Sequence, residues 1–290
     1  MFEGSMVAIV TPFKDGKIDE EAFSELIEWH IAEGTDAIVP CGTTGESATL
    51  EYDEHYRVIE IAIKTVNKRL PVIAGTGANS TDETITLTGR AKELGADGAL
   101  LVAPYYNKPT QEGVYRHYRA VAESVDLPLV LYNVPGRTAI NISPSTVARL
   151  AEIENIVAIK EASANMRQVS DIIRLCGERI TVLSGDDFTI YPIMMLGGRG
   201  VISVSANVLP KALSELCAAC NRGDFKRARE IHYMVEPLNA AMFIETNPIP
   251  VKTALSMMGK IREEFRLPLC EMAEGNRKKL KDVLESYNLI

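Results

Sequence analysis

Ile156-Val157-Ala158-Ile159-Lys160-Glu161 is an unbroken apolar run that ends abruptly in a cation and an anion. It is too short for a helix and does not alternate with polar residues. It therefore reads as a strand covered on both faces, which points to a parallel sheet. Seven other runs share this form. Val7-Ala8-Ile9-Val10, Ala37-Ile38-Val39, Val72-Ile73-Ala74, Ala99-Leu100-Leu101-Val102 and Leu129-Val130-Leu131-Tyr132 precede it. Thr181-Val182-Leu183 and Val201-Ile202-Ser203-Val204 follow it. Each gives way to a polar or Gly/Pro-containing loop.

The intervening stretches carry helix punctuation. Asp19 can cap a helix with Ala22, Phe23, Leu26, Ile27 and Ile31 on one face and Gly34 past its end. Ser80-Thr81-Asp82-Glu83 has the form of a capping box. Ser143-Pro144 puts proline at a first helical position, and Gly177 follows a helix over 166–176. Eight strand–helix units in residues 1–223 predict an α/β fold, a closed (β/α)8 barrel. An open doubly wound sheet fits the same rhythm, and a GxGxxG fingerprint would favour it. The nearest stretch, Gly75-Thr76-Gly77-Ala78-Asn79-Ser80, lacks the third glycine.

From Asp224 the pattern is helical only, so residues 224–290 are expected to form a C-terminal helical domain packed on the barrel. Its first helix would carry Phe225, Ala228, Ile231 and Val235 on one face. A second spans 251–258 and stops at Gly259. The last bears Leu280, Val283, Leu284 and Tyr287.

The formal net charge of −8 argues against nucleic acid and anionic membranes as partners. No run approaches the ~20 apolar residues that span a bilayer. The acidic start, Met1-Phe2-Glu3, does not resemble a signal peptide, so a soluble, cytoplasmic protein is expected. Five scattered cysteines do not suggest a disulfide framework. Cys217 and Cys220 form one CxxC without a second pair or a flanking histidine, and apolar packing is the expected role. His30, His55, His117 and His232 offer no metal-ligating pair, so no metal is expected.

Barrel active sites lie at the C-terminal ends of the strands. Lys160 is the sharpest candidate there. An amine is nucleophilic only when neutral, and burial at the mouth of an apolar tube supplies neutral amine at physiological pH. An ion pair with Glu161, or plain solvation, is the competing role. Tyr132 ends the preceding strand, where its phenol can relay protons or simply pack. Thr43 and Thr44 sit on a Gly-flanked loop and suit a carboxylate, or form an ordinary turn. Arg137, after Pro135-Gly136, offers a bidentate fork for a carboxylate, or is a surface arginine. The loops after the last two strands, Ser184-Gly185-Asp186-Asp187 and Ser205-Ala206-Asn207, make a poor phosphate cradle. A small carboxylate substrate without phosphate is expected.

These motifs together resemble the 4-hydroxy-tetrahydrodipicolinate synthase (dihydrodipicolinate synthase) family of pyruvate-dependent class I aldolases. The resemblance runs from Ala8-Ile9-Val10-Thr11-Pro12-Phe13 through Gly42-Thr43-Thr44-Gly45-Glu46-Ser47-Ala48 and Pro104-Tyr105-Tyr106-Asn107. It continues through Tyr132-Asn133-Val134-Pro135-Gly136-Arg137-Thr138 and Ile159-Lys160-Glu161-Ala162 to Asn247-Pro248-Ile249-Pro250-Val251-Lys252. It implies a (β/α)8 TIM barrel with a C-terminal helical domain. It also implies condensation of pyruvate with L-aspartate 4-semialdehyde in lysine (diaminopimelate) biosynthesis, through a Schiff base and without a cofactor.

By this resemblance Lys160 forms the Schiff base and Tyr132 relays protons. Thr43 links Tyr132 to Tyr106, which in the family comes from the neighbouring subunit. Thr44, Gly185 and Ile202 are implied to bind pyruvate, and Arg137 the carboxylate of the semialdehyde. Ser47, Ala48, His55, Asn79, Glu83 and Tyr105 match the cleft where L-lysine inhibits many members, although Tyr52 stands where lysine-sensitive bacterial members often carry histidine. A homotetramer, a dimer of dimers, is the family's usual assembly. Two alternatives remain at this point. A sister lyase of the N-acetylneuraminate type would share Lys160 and Tyr132 but accept a different aldehyde. A non-catalytic metabolite sensor would be expected to lack one of them.

Overall fold

The computed structural model describes residues 2–290. Among them, eight parallel strands form the sheet: β1 (Gly4–Ala8), β2 (Ala37–Val39), β3 (Ile73–Gly75), β4 (Gly98–Val102), β5 (Leu129–Asn133), β6 (Ile156–Glu161), β7 (Thr181–Ser184) and β8 (Gly200–Ser203). Their order is β2-β1-β8-β7-β6-β5-β4-β3. The two ends of that order meet through one bridge between Ile38 and Val72. Beside it the Gly75 N–H donates to the Pro40 carbonyl at 2.9 Å. A Cβ on Gly75 would lie 2.1 Å from the Cys41 carbonyl oxygen, so the seam closes only over glycine. The result is the expected barrel.

The barrel interior holds Met6, Ala8, Val39, Ile73, Leu100, Val130, Ala158, Leu183 and Ile202, a packed apolar layer and not a pore. Outside it run α1 (Glu20–Ala32), α2 (Tyr52–Val66), α3 (Thr81–Leu94), α4 (Gln111–Ser124), α5 (Pro144–Leu150), α6 (Met166–Cys176), α7 (Ile190–Met195) and α8 (Pro210–Asn221). The Asp19 side chain caps α1 by accepting from the Ala22 N–H, and Ser143 caps α5 ahead of Pro144. Cys217 and Cys220 on α8 are buried free thiols, packed in the apolar core.

Two strands end before their apolar runs do. β1 ends at Ala8, before Ile9 and Val10, because the Asn207 side chain accepts from the Val10 N–H at 3.2 Å and takes the place of a ladder bond. β8 ends at Ser203 because the Val204 N–H donates to the Asp187 carboxylate at 3.0 Å. The capping box at Ser80 is only half formed. The Ser80 hydroxyl accepts from the Glu83 N–H at 3.4 Å, but the Glu83 carboxylate accepts from the Tyr52 phenol at 3.0 Å.

Beyond Asp224 lie α9 (Phe225–Met242), α10 (Ile249–Met257) and α11 (Glu274–Ser286). Ala228, Ile231, Val235, Leu238 and Met242 join one continuous core with α1, α2 and α8. Phe225 does not share this face as expected and is 50% exposed. At about 100° per residue it falls beside the stripe set by the later residues, not on it. Lys252 of α10 reaches Glu46 on the loop after β2 at 2.5 Å, with both side chains fully buried. Among the described residues no helix is long and apolar enough to cross a membrane.

Candidate active site

Side chains alternate between the two faces of a strand. Ala158 faces the barrel interior, so Lys160, two residues on, does the same, while Glu161 turns outward. Register then decides the neighbours. Lys160 pairs with Tyr132 on β5 and with Leu183 on β7. The Lys160 Nζ sits 4.4 Å from the centroid of the Tyr132 ring. Glu161 is unavailable to Lys160. Its carboxylate accepts from the Asn133 side chain at 2.9 Å, the Gln168 side chain at 3.1 Å and the Ser163 N–H at 2.7 Å.

Lys160 is 4% exposed. Burial holds its ammonium down to about 8; the Arg137 guanidinium assists, and the carboxylates of Asp187 and Asp186 oppose it. At pH 7 about a tenth of such amines are neutral, against well under a thousandth for an ordinary lysine. Burial pushes the Tyr132 phenol up, so it stays protonated, with Arg137 and the Thr43 hydroxyl drawing it partly back. A neutral amine beside a protonated phenol is a nucleophile next to a proton donor, the pair that imine formation requires.

Both groups line a cavity of about 150 Å³ with Gly42, Thr43, Thr44, Arg137, Gly185, Asp186, Val204, Phe243 and Asn247. Gly185 keeps it open. A Cβ there would lie 2.9 Å from the Lys160 Cγ and 2.8 Å from the Ala162 Cβ. Thr44 is buried, and its hydroxyl accepts from the Asn247 side chain at 3.0 Å. Arg137 stands at the mouth on a one-turn helix, Pro135–Thr138, and donates to the Asn247 carbonyl at 3.1 Å. Ile202 belongs to the apolar layer of the interior and is not a lining residue; Val204 is.

Tyr106 is not brought to this cavity within one chain. It is 89% exposed, on a backbone with φ of +71°, where a non-glycine residue is uncommon. A second cavity, of about 480 Å³, lies beside the first and shares Thr43, Val134, Arg137 and Asn247 with it. Ser47, Ala48, His55, Glu83 and Tyr105 line it, together with Tyr52. Asn79 is not among the lining residues; its carbonyl accepts from the Asn107 side chain at 2.8 Å. His55 and Glu83 are not hydrogen-bonded to each other. His55 Nε2 meets the Gly75 carbonyl at 2.8 Å, and burial lowers the imidazole's pKa.

The sequence profile of the dihydrodipicolinate synthetase family matches residues 1–287. The chain belongs to the dihydrodipicolinate synthetase family.

A 4-hydroxy-tetrahydrodipicolinate synthase from Thermodesulfovibrio yellowstonii is 68% identical, with all of both chains covered. The solved dihydrodipicolinate synthase from Aquifex aeolicus is 56% identical with a TM-score of 0.98, covering 99% of each chain. That from Acinetobacter baumannii, solved in complex with pyruvate, is 52% identical with a TM-score of 0.98 over all of both chains. Two polar residues that line the smaller cavity carried no role in the sequence reading, Asn247 and Asp186. Asn247 reaches Thr44 from 203 positions away in the chain, so no local pattern announces it. Asp186 was legible only as a poor phosphate ligand.

Proposed function

We propose that the chain is a 4-hydroxy-tetrahydrodipicolinate synthase, condensing pyruvate with L-aspartate 4-semialdehyde in lysine biosynthesis. The observation that carries this reading is the buried Lys160 amine beside the Tyr132 phenol in a cavity that also offers Thr44 and Arg137. Neutral Lys160 attacks the pyruvate ketone. Tyr132, relayed by Thr43, supplies and removes protons as water leaves and the protonated imine forms. Thr44 and the Gly185 backbone hold the pyruvate carboxylate, with Ile202 beneath them.

The protonated imine is an electron sink, so the methyl group loses a proton and an enamine forms. The enamine carbon attacks the aldehyde of the second substrate, whose carboxylate Arg137 holds. The substrate's amine then attacks the imine carbon. The ring closes, and the Lys160–carbon bond breaks to free the amine. Every bond change is accounted for by the two substrates, Lys160 and water, so the reading requires no metal or organic cofactor.

Tyr106, exposed on a strained backbone, suits a residue that completes the proton relay in a second copy of the chain. The reading therefore includes a dimer as the active unit and a cytoplasmic homotetramer as the assembly. It also takes the larger cavity, lined by His55, Glu83 and Tyr105, as an L-lysine inhibitory cleft, and residues 224–290 as a helical domain closing the site from above through Asn247. A coupled assay with pyruvate and aspartate semialdehyde tests it. Turnover that falls with millimolar L-lysine is expected. No turnover would remove the reading, and rates indifferent to lysine would remove its regulatory part.

A further inference from the structure

The wall of the small cavity is polarised. Arg137 follows β5, Lys160 lies on β6 and Asp186 follows β7, and these strands are consecutive neighbours in the sheet. A guanidinium and a carboxylate thus flank the amine from its two sides. Among the described residues Asp186 is the only carboxylate that lines this cavity.

The other acids nearby are engaged. Asp187 accepts from the Ser203 hydroxyl at 2.5 Å and from the Val204 and Ser205 N–H groups at 3.0 Å each. Glu161 faces outward, as described. The Asp186 carboxylate accepts only from its own loop, from the Phe188 N–H at 3.4 Å and from the Thr189 hydroxyl. Burial, with Asp187 close by, pushes its carboxyl up to about 6, which still leaves it ionised at neutral pH. It acts on the Lys160 ammonium through space without forming a salt bridge; a half-buried carboxylate so placed is costly, and a cation arriving with substrate would relieve it.

We propose that Asp186 receives the α-ammonium group of the second substrate while Arg137 receives its α-carboxylate, so that this pair restricts the aldehyde to one carrying an amino-acid head. The inference rests on the synthase reading above. It also gives the amine a location. Held from the β7 loop, it lies on the wall that carries Lys160; once the ammonium has given a proton to water, the neutral amine is beside the imine carbon that it attacks when the ring closes. A pocket built around a charged group rejects the analogue that lacks it, because its own polar group is left unpaired.

The test compares two aldehydes with pyruvate: aspartate semialdehyde and 4-oxobutanoate, which lacks only the amino group. Products are quantified by mass spectrometry. Wild-type kcat/KM should favour the amino aldehyde by at least about tenfold. Asp186→Asn should cut that ratio by about tenfold or more, mainly through KM for the amino aldehyde, and Asp186→Glu should restore part of it. Any change that the variant makes to Lys160 itself is common to both aldehydes and cancels in the ratio. An Asp186→Asn ratio equal to wild type would overturn the proposal. If that variant does not fold, equal use of the two aldehydes by the wild type overturns it directly. Failure of the wild type to turn over either aldehyde, with no pyruvyl adduct formed, would instead count against the synthase reading.

Discussion

A lysine two residues along a strand from an alanine of the barrel interior has nowhere to go but the interior. That placement, on β6, accounts for the chemistry of Lys160. Its pKa near 8 predicts the sign of the pH dependence. The neutral form rises as pH rises, so kcat/KM for pyruvate should climb tenfold per pH unit below about 8 and level off above it. Tyr132 must stay protonated, and burial raises its pKa, so no fall is expected until well into the alkaline range. A pyruvate profile flat from pH 6 to 9 would contradict this assignment. The charged form is the one that burial disfavours, so Lys160 costs the fold stability below pH 8. Lys160→Met should therefore abolish activity while raising Tm by a few degrees in thermal melts at pH 7. Gly185 supplies the room. In Gly185→Ala the new methyl would overlap the Lys160 Cγ and the Ala162 Cβ. A loss of about a hundredfold or more in kcat/KM is expected with the fold intact by circular dichroism, and near-normal activity would argue that the lysine sits elsewhere.

The elements were legible in the sequence for a physical reason. Strands covered on both faces need apolar side chains on both, so β4 to β7 show as bare apolar runs. The ends of β1 and β8 were not legible, since Asn207 and Asp187 intercept their ladder bonds from other loops. For the same reason Lys160, Tyr132, Thr43, Thr44 and Arg137 were found as strand-end residues, while the contacts of Asn247 were not. The loop after β2 is tied to α10 by the buried Glu46–Lys252 pair, which Arg266 joins through its N–H to Glu46 at 3.2 Å. The aromatic rings of Phe13 and Phe265 flank the ammonium, at 4.3 and 5.2 Å from their centroids. Glu46→Gln strands that cation in the core and should cost about 3–5 kcal/mol in urea unfolding. The double change Glu46→Leu with Lys252→Met should recover most of it. A single variant as stable as wild type would mean that the pair holds nothing in place.

At the scale of the whole molecule, one chain leaves Tyr106 pointing into solvent and two cavities side by side. If Tyr106 serves a neighbour's site, co-assembling an inactive Lys160→Ala chain with an inactive Tyr106→Phe chain should restore part of the activity, because some sites then combine both intact residues. Mixed assemblies as dead as their parents would show that Tyr106 plays no such part. All of this depends on covalent capture of a keto acid by one buried amine in the intact protein. The most direct measurement is borohydride reduction in the presence of pyruvate, followed by mass spectrometry of the whole chain and of its peptides. The account predicts one pyruvyl adduct per chain, carried on Lys160 and absent from Lys160→Ala. An unmodified chain, or an adduct on another lysine, would contradict it.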